Sequence, residues 1–188
     1  MSAPPPARGV PERIQRLLDE RVLERSQPDA ATITGLWIKA VHSGLDAREP
    51  ALSTDNRVGL AFQAGLQAAF AFLAARGYRV RSGRSHHYYL FYATQALAEA
   101  DRDEPLRRAA VEMDRQRTHR AVAVYNADPA TEKELTEMLE LLGRLLPAIH
   151  AALMRQLPRR LTDLPPPGER PPPRSDAVPK LPSRRRGR

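Results

Sequence analysis

The chain has 188 residues, enough for one domain with tails but short for two domains of ordinary size. It contains no cysteine, which excludes disulfide bonds, a thiolate nucleophile and cysteine-ligated zinc. Of the formal net charge of +8, residues 158–188 contribute +6 through nine basic and three acidic side chains, so the rest of the chain is nearly neutral. A basic tail of this kind binds polyanions weakly and indicates little about the domain that precedes it.

No membrane association is predicted. The first residues, MSAPPPARGVPERIQ, lack the apolar region of a signal peptide. The longest apolar stretch, LAFQAGLQAAFAFLAA, is interrupted by two glutamines, which disfavours a membrane span. We therefore expect a cytoplasmic protein.

The chain divides into three predicted parts. Residues 1–30 are expected to be a flexible segment in which ERIQRLLDERVLER, residues 12–25, forms a short amphipathic helix. Residues 31–157 are expected to fold as one domain. Residues 158–188, PRRLTDLPPPGERPPPRSDAVPKLPSRRRGR, have the composition of a disordered, basic, proline-rich tail.

The periodicity of apolar residues in the domain predicts an all-α, four- to five-helix up-and-down bundle. Helices are expected at about 32–43, 55–76 and 87–100, from about 104 onward, and along the apolar stripe of 135–153. Gly77 stands where a glycine commonly ends a helix, and Thr131 with Glu134 forms a capping box before the last helix. No run alternates polar and apolar residues well enough to predict a strand.

Several kinds of site are excluded by spacing. The glycines are scattered and do not form a phosphate-binding loop. There is no H-E-x-x-H pair, and His86 and His87 are consecutive, so on a helix they point about 100° apart and do not readily share a metal. We expect neither a metal nor another cofactor.

The first segment that carries candidate chemistry is GYRVRSGRSHHYY, residues 77–89. It combines basic and aromatic side chains without an acid, which suits contact with phosphates and bases. The candidate nucleic-acid-binding residues are Arg79, Arg81, Arg84, His86 and His87. The alternative is a solvated basic loop that leads into a helix.

The second segment is RTHRAVAVYN, residues 117–126. The apolar stripe through Leu106, Ala110 and Met113 continues to Arg117 and Arg120, where two cations would point toward the core or a partner surface. Such arginines either form an anionic-ligand site or pair with acids such as Asp114, Glu112 or the glutamates of the last helix.

Taken together, LAARGYRVRSGRSHH, the later R-T-H-R-A and the tyrosine that follows resemble the HEPN domains, a family of small helical bundles. The resemblance covers roughly residues 31–157. It implies a homodimer whose shared cleft cleaves RNA without metal in active members. Arg120 takes the position of the family's arginine, Ala121 that of its polar residue, and Tyr125 that of its histidine or tyrosine.

What the resemblance implies for the chemistry is a set of four catalytic candidates. Arg120 and Arg117 would stabilise the charged phosphorane, and Tyr125 or His119 would handle the proton of the 2′-hydroxyl. The departures are that alanine at 121 makes no hydrogen bond and that a tyrosine with a pKa near 10 is a weaker base than histidine.

Three functions are weighed on this basis. The first is a ribonuclease, a toxin or defence component held in check by an antitoxin or by a nucleotidyltransferase that modifies Tyr125. The second is a catalytically degenerate module that dimerises and binds RNA or a protein partner without cleavage. The third is a helical regulator that holds nucleic acid mainly through the terminal SRRRGR.

Overall fold

The computed structural model describes residues 9–81, 86–126, 128–156 and 164–171, without the side chains of 119–126. Within these ranges the protein has six helices and one two-stranded antiparallel ribbon, so the all-α prediction is confirmed. In chain order the elements are α1 Glu12–Asp19, β1 Leu23–Arg25, α2 Ala30–Asp46, α3 Thr54–Ala75, β2 Tyr78–Val80, α4 His86–Ala100, α5 Glu104–Asn126 and α6 Glu132–Gln156.

Helices α2 and α6 begin at side-chain caps that the sequence supplies. Asp29 accepts a hydrogen bond from the Thr32 amide at 2.7 Å at the start of α2. At the start of α6, the Thr131 amide donates to the Glu134 carboxylate at 2.7 Å, and the Glu134 amide donates to the Thr131 hydroxyl at 3.2 Å. The predicted capping box is therefore confirmed. Gly77, with φ of +79°, follows the end of α3 in the left-handed conformation that favours glycine.

Four helices form a closed ring around the core, because α3 packs on α4, α4 on α5, α5 on α6 and α6 on α3. Helix α2 packs on the outside of α3, and α1 packs on α4. By length and composition α3 is apolar enough to cross a membrane, but 56% of its apolar stretch is buried inside the protein. Its place in the ring accounts for that composition.

The up-and-down order expected for the bundle is wrong, because α3 and α4 run parallel. Phe62, in the first half of α3, lies 6.3 Å from both the His87 and the Phe91 rings in the first half of α4. Arg76, just after α3, forms an ion pair with Asp101, just after α4. An extended chain advances about 3.3 Å per residue against 1.5 Å in a helix, so the short connection through β2 suffices to return to the start of α4.

The ribbon and α1 join the N-terminal part of the chain to the same core. Leu23 pairs with Val80 in the ribbon, and both side chains are buried. Ile14 and Leu17 of α1 are also buried in the main hydrophobic cluster. The amphipathic pattern of 12–25 thus becomes a helix and a strand that pack on the domain. The ribbon was not predicted because each strand has only three residues.

Part of the expected tail also has a defined position. Residues 164–171 lie against α2 and α6, where Leu164 is 93% buried and the Trp37 indole donates a hydrogen bond to the Pro165 carbonyl. For these eight residues the prediction of a disordered tail is wrong. A proline-rich composition does not reveal contacts that are made through backbone carbonyls.

Candidate nucleic-acid interface at the start of helix α4

The two segments singled out in the sequence meet where α4 begins. Helices α4 and α5 are antiparallel, so the first turn of α4 faces the second half of α5. The guanidinium carbon of Arg117 lies 5.5 Å from the centroid of the Tyr88 ring, within the range of a cation–π contact. The histidine–tyrosine end of the first segment and the first arginine of the second thereby lie side by side.

His87 is adapted to stay neutral in this site. Burial is the main cause that lowers its pKa below the usual 6.5, and the positive charges of His86 and Arg117 lower that pKa further. The N-terminal end of a helix also disfavours a cation. Although the two histidines are consecutive, their ring centroids lie only 3.9 Å apart. A neutral imidazole beside an arginine can accept a proton near an anionic group.

Arg117 is held in place by an acid. Its Nε lies 2.7 Å from the Asp114 carboxylate, and the two side chains are 26% and 24% exposed. The pairing with Asp114 considered from the sequence therefore occurs, whereas Glu112 pairs with Arg144 of α6. A quarter-exposed guanidinium still presents part of its donor edge to a ligand.

The other catalytic candidates are not among the described side chains. Arg120, Tyr125 and His119 lie on α5 beyond Thr118, and of this part of the chain only the helical backbone is described. Their roles stay predictions.

A row of aromatic and cationic side chains extends from Arg117 across α4 to α1. Tyr88, which is 36% exposed, lies 5.9 Å from Tyr92, one helical turn further along α4. The Arg13 guanidinium lies 4.2 Å above the Tyr92 ring and also pairs with Glu99 at 2.9 Å. Aromatic rings flanked by arginines are typical of surfaces on which bases stack.

Sequence reasoning missed Arg13 and Tyr92 in this row. The four-residue spacing of Tyr88 and Tyr92 on a predicted helix was a signal that both lie on one face. No local pattern connects Arg13 with that face, because α1 and α4 are distant in the chain.

The basic connector is less positive than its sequence indicates. Glu24, on β1, lies directly opposite Arg79 in the ribbon, with 2.6 Å between Arg79 Nε and the carboxylate. Arg81 Nε lies 3.8 Å from the same carboxylate. Two exposed arginines thus share one acid, which leaves one net positive charge at this place. Arg84 lies outside the described residues.

Comparison with protein-family models, with curated proteins and with solved structures finds no match to this chain. The resemblance to HEPN domains therefore rests on the order and spacing of the quoted motifs. Among the residues that the structure describes, no three histidine, aspartate or glutamate side chains converge as metal ligands would.

Proposed function

We propose that this chain is a HEPN-like ribonuclease that cleaves RNA without a metal ion at the α4–α5 site. The observation that carries the proposal is the contact between Arg117 and the Tyr88 ring, next to His87, whose pKa the charge of Arg117 helps to lower. Formation of a homodimer, a cytoplasmic location and control by an antitoxin or a nucleotidyltransferase belong to the same proposal.

The proposed chemistry is an attack by the RNA 2′-hydroxyl on the neighbouring phosphorus. The hydroxyl proton passes to the neutral imidazole of His87 as the O2′–P bond forms. The P–O5′ bond then breaks, the 5′-oxygen takes a proton from the Tyr125 phenol, and a 2′,3′-cyclic phosphate is left. Arg117 and Arg120 stabilise the negative charge that grows on the phosphoryl oxygens.

Binding without cleavage is the second candidate function. Two observations favour it: Asp114 already neutralises Arg117, and Ala121 stands where the family has a hydrogen-bonding residue. In this case the arginine–tyrosine row holds RNA, or an anionic partner, without reacting.

The test is incubation of the purified full-length chain with total RNA in EDTA. We expect cleavage that survives chelation and falls by about 10²-fold or more in Arg117→Ala and Arg120→Ala, the range found when one stabilising donor is removed. His87→Gln preserves the size and polarity of the side chain and should lower the cleavage rate. It should also remove from the pH–rate profile the step caused by a group whose pKa lies below the usual 6.5 of histidine. Arg115→Ala is the matched control, because Arg115 is an exposed arginine on the same helix.

The outcomes separate the two candidates. No cleavage, with RNA binding that weakens in Arg117→Ala but not in Arg115→Ala, would assign the binding function. Cleavage that is unchanged in Arg117→Ala and Arg120→Ala would show a contaminating or different nuclease site. Light scattering at tens of micromolar should give a dimer, and a monomer there would refute the shared cleft.

A further inference from the structure

A proline-rich segment of the chain is seated on the face formed by α2 and α6. We refer to this segment, residues 164–171 or LPPPGERP, as the strap. The Trp37 Nε1 donates to the Pro165 carbonyl at 2.8 Å, and the His150 Nε2 lies 3.4 Å from the Leu164 carbonyl. The Trp37 and His150 rings lie 5.3 Å apart, so their two nitrogen atoms contact consecutive backbone carbonyls of the strap. We refer to Trp37 and His150 together as the seat.

The chemistry of this seat suits proline. A proline residue has no amide N–H, so the carbonyl is the only backbone group through which each proline of the strap can form a hydrogen bond. An indole N–H beside an apolar groove is a recurring means of holding polyproline helices, which bind with little loss of conformational entropy. Trp37 is fully buried and provides that donor from a fixed position.

The groove extends beyond the part that the strap covers. A cavity of about 310 Å³ lies between α2 and α6, with Pro167 and Gly168 of the strap at its edge. Its walls are mainly apolar, with Arg48 as the one charged residue among those that the structure describes there; the apolar part is formed by Val41, Gly44, Leu45, Leu142, Gly143, Leu146 and Pro147. The strap therefore fills only part of an apolar groove with space for further apolar side chains.

The remaining contacts define the ligand further. Leu164, immediately before the prolines, is buried, and Arg170 after them lies 3.5 Å from Asp46 at the end of α2. The groove thus accepts an apolar residue, then prolines, then a basic residue. An exposed ion pair at this distance contributes little, so the strap is held mainly by its two buried ends, Leu164 and Pro171, and by the carbonyl contacts.

We propose that the α2–α6 groove is a binding site for proline-rich segments, and that a partner protein's segment of this pattern binds there by displacing the strap. The strap is the occupant within the chain, and the few contacts that hold it allow its exchange. A tethered segment competes at an effective concentration on the order of millimolar. A partner must therefore fill more of the cavity, or bind at more than one place.

The experiment measures the binding of a fluorescein-labelled peptide, LTDLPPPGERPPP, to the full-length chain by anisotropy. The strap is released by Leu164→Asp together with Arg170→Glu in the protein, with circular dichroism used to check the fold. We expect the release variant to bind the peptide at least about tenfold more tightly than the wild type, because the tethered competitor is removed. A peptide with alanine in place of its prolines should bind weakly.

Two further variants test the seat in the release background. Trp37→Phe keeps an aromatic ring but removes the N–H donor together with the five-membered part of the indole, and should weaken binding by at least about five- to tenfold, the value of one hydrogen bond. Asp46→Lys replaces this weak attraction by a repulsion and should weaken binding by only about two- to fivefold, and a peptide with glutamate in place of its arginine should recover it. Asp46 is exposed, so this charge exchange stays informative if Trp37→Phe does not fold.

The proposal is overturned if the release variant fails to bind the peptide, or binds the alanine peptide equally well. It is also overturned if the wild type forms a dimer that the release variant does not form, because the groove would then belong to the strap of a second copy. None of these outcomes depends on ribonuclease activity.

Discussion

Gly65 of α3 faces Met113 of α5 and Leu145 of α6, and Gly65→Ala measures how tightly the three helices pack there. A methyl group at Gly65 would lie 1.8 Å from the terminal carbon of Met113 and 3.4 Å from Leu145. Non-bonded carbon atoms prefer about 3.5–4.0 Å, so the Met113 methyl must move by about 2 Å. Met113 is fully buried and has no solvent into which to move.

The magnitude follows from two opposing effects. Overpacking a core costs about 1–3 kcal/mol, whereas replacing glycine by alanine inside a helix contributes about 1 kcal/mol. We therefore expect Gly65→Ala to lower the free energy of unfolding by about 1 kcal/mol. Gly59→Ala is the matched control on the same helix, with nothing within 4 Å of the added methyl group, and should raise that free energy by about 0.5–1 kcal/mol.

Urea denaturation measures the free energy of unfolding of each variant, and the values can be compared directly if the m-values are equal. In a Met113→Ala background the obstructing methyl group is gone, and Gly65→Ala should change sign and stabilise the protein. The reasoning is refuted if Gly65→Ala stabilises the wild type as much as Gly59→Ala does. It is also refuted if Gly65→Ala destabilises the Met113→Ala variant as much as it destabilises the wild type.

Three further predictions concern single side chains. Thr131→Ala should lower the free energy of unfolding by about 1 kcal/mol in urea denaturation, because it removes the cap of α6, and an unchanged midpoint would contradict the capping role. The pKa of His87 is lowered from 6.5 in the folded protein, so the unfolded chain binds more protons once the pH falls below about 6.5, and stability should decline from there toward the lower folded pKa. Denaturation at a series of pH values should show that decline in the wild type and a smaller one in His87→Gln. Glu24→Gln should strengthen salt-dependent RNA binding, because it releases Arg79 and Arg81, while stability changes by less than about 1 kcal/mol; unchanged affinity would remove these arginines from the interface.

The helices of the core were predictable because each one carries its own signals. The apolar face of α3, the glycine that ends it and the capping box of α6 are local patterns whose meaning does not depend on the rest of the chain. The direction in which neighbouring helices run is not encoded in that way. The parallel arrangement of α3 and α4 depends on the ribbon, whose three-residue strands are too short to show an alternating pattern.

The candidate site was predictable in its residue types but not in its balance of charge. Arg117 stood out because it continues an apolar stripe, and the histidine–tyrosine segment because it combines cations and aromatic rings without an acid. The acid that pairs with Arg79 and Arg81 comes from β1, and the arginine that covers Tyr92 comes from α1. Both partners come from distant parts of the chain. A count of charges within residues 77–89 alone therefore overestimates the positive potential around Arg79 and Arg81.

The two proposed sites lie on different faces of the bundle, and this separation follows from the order of packing. Helices α4 and α6 both pack on α3 and on α5, so they occupy opposite corners of the four-helix ring. The arginine–tyrosine row runs over α1, α4 and α5, whereas the strap lies on α2 and α6. Displacing the strap therefore leaves the contact between Arg117 and Tyr88 in place. Because no side chain is shared, the two proposals are independent, and each can fail without the other.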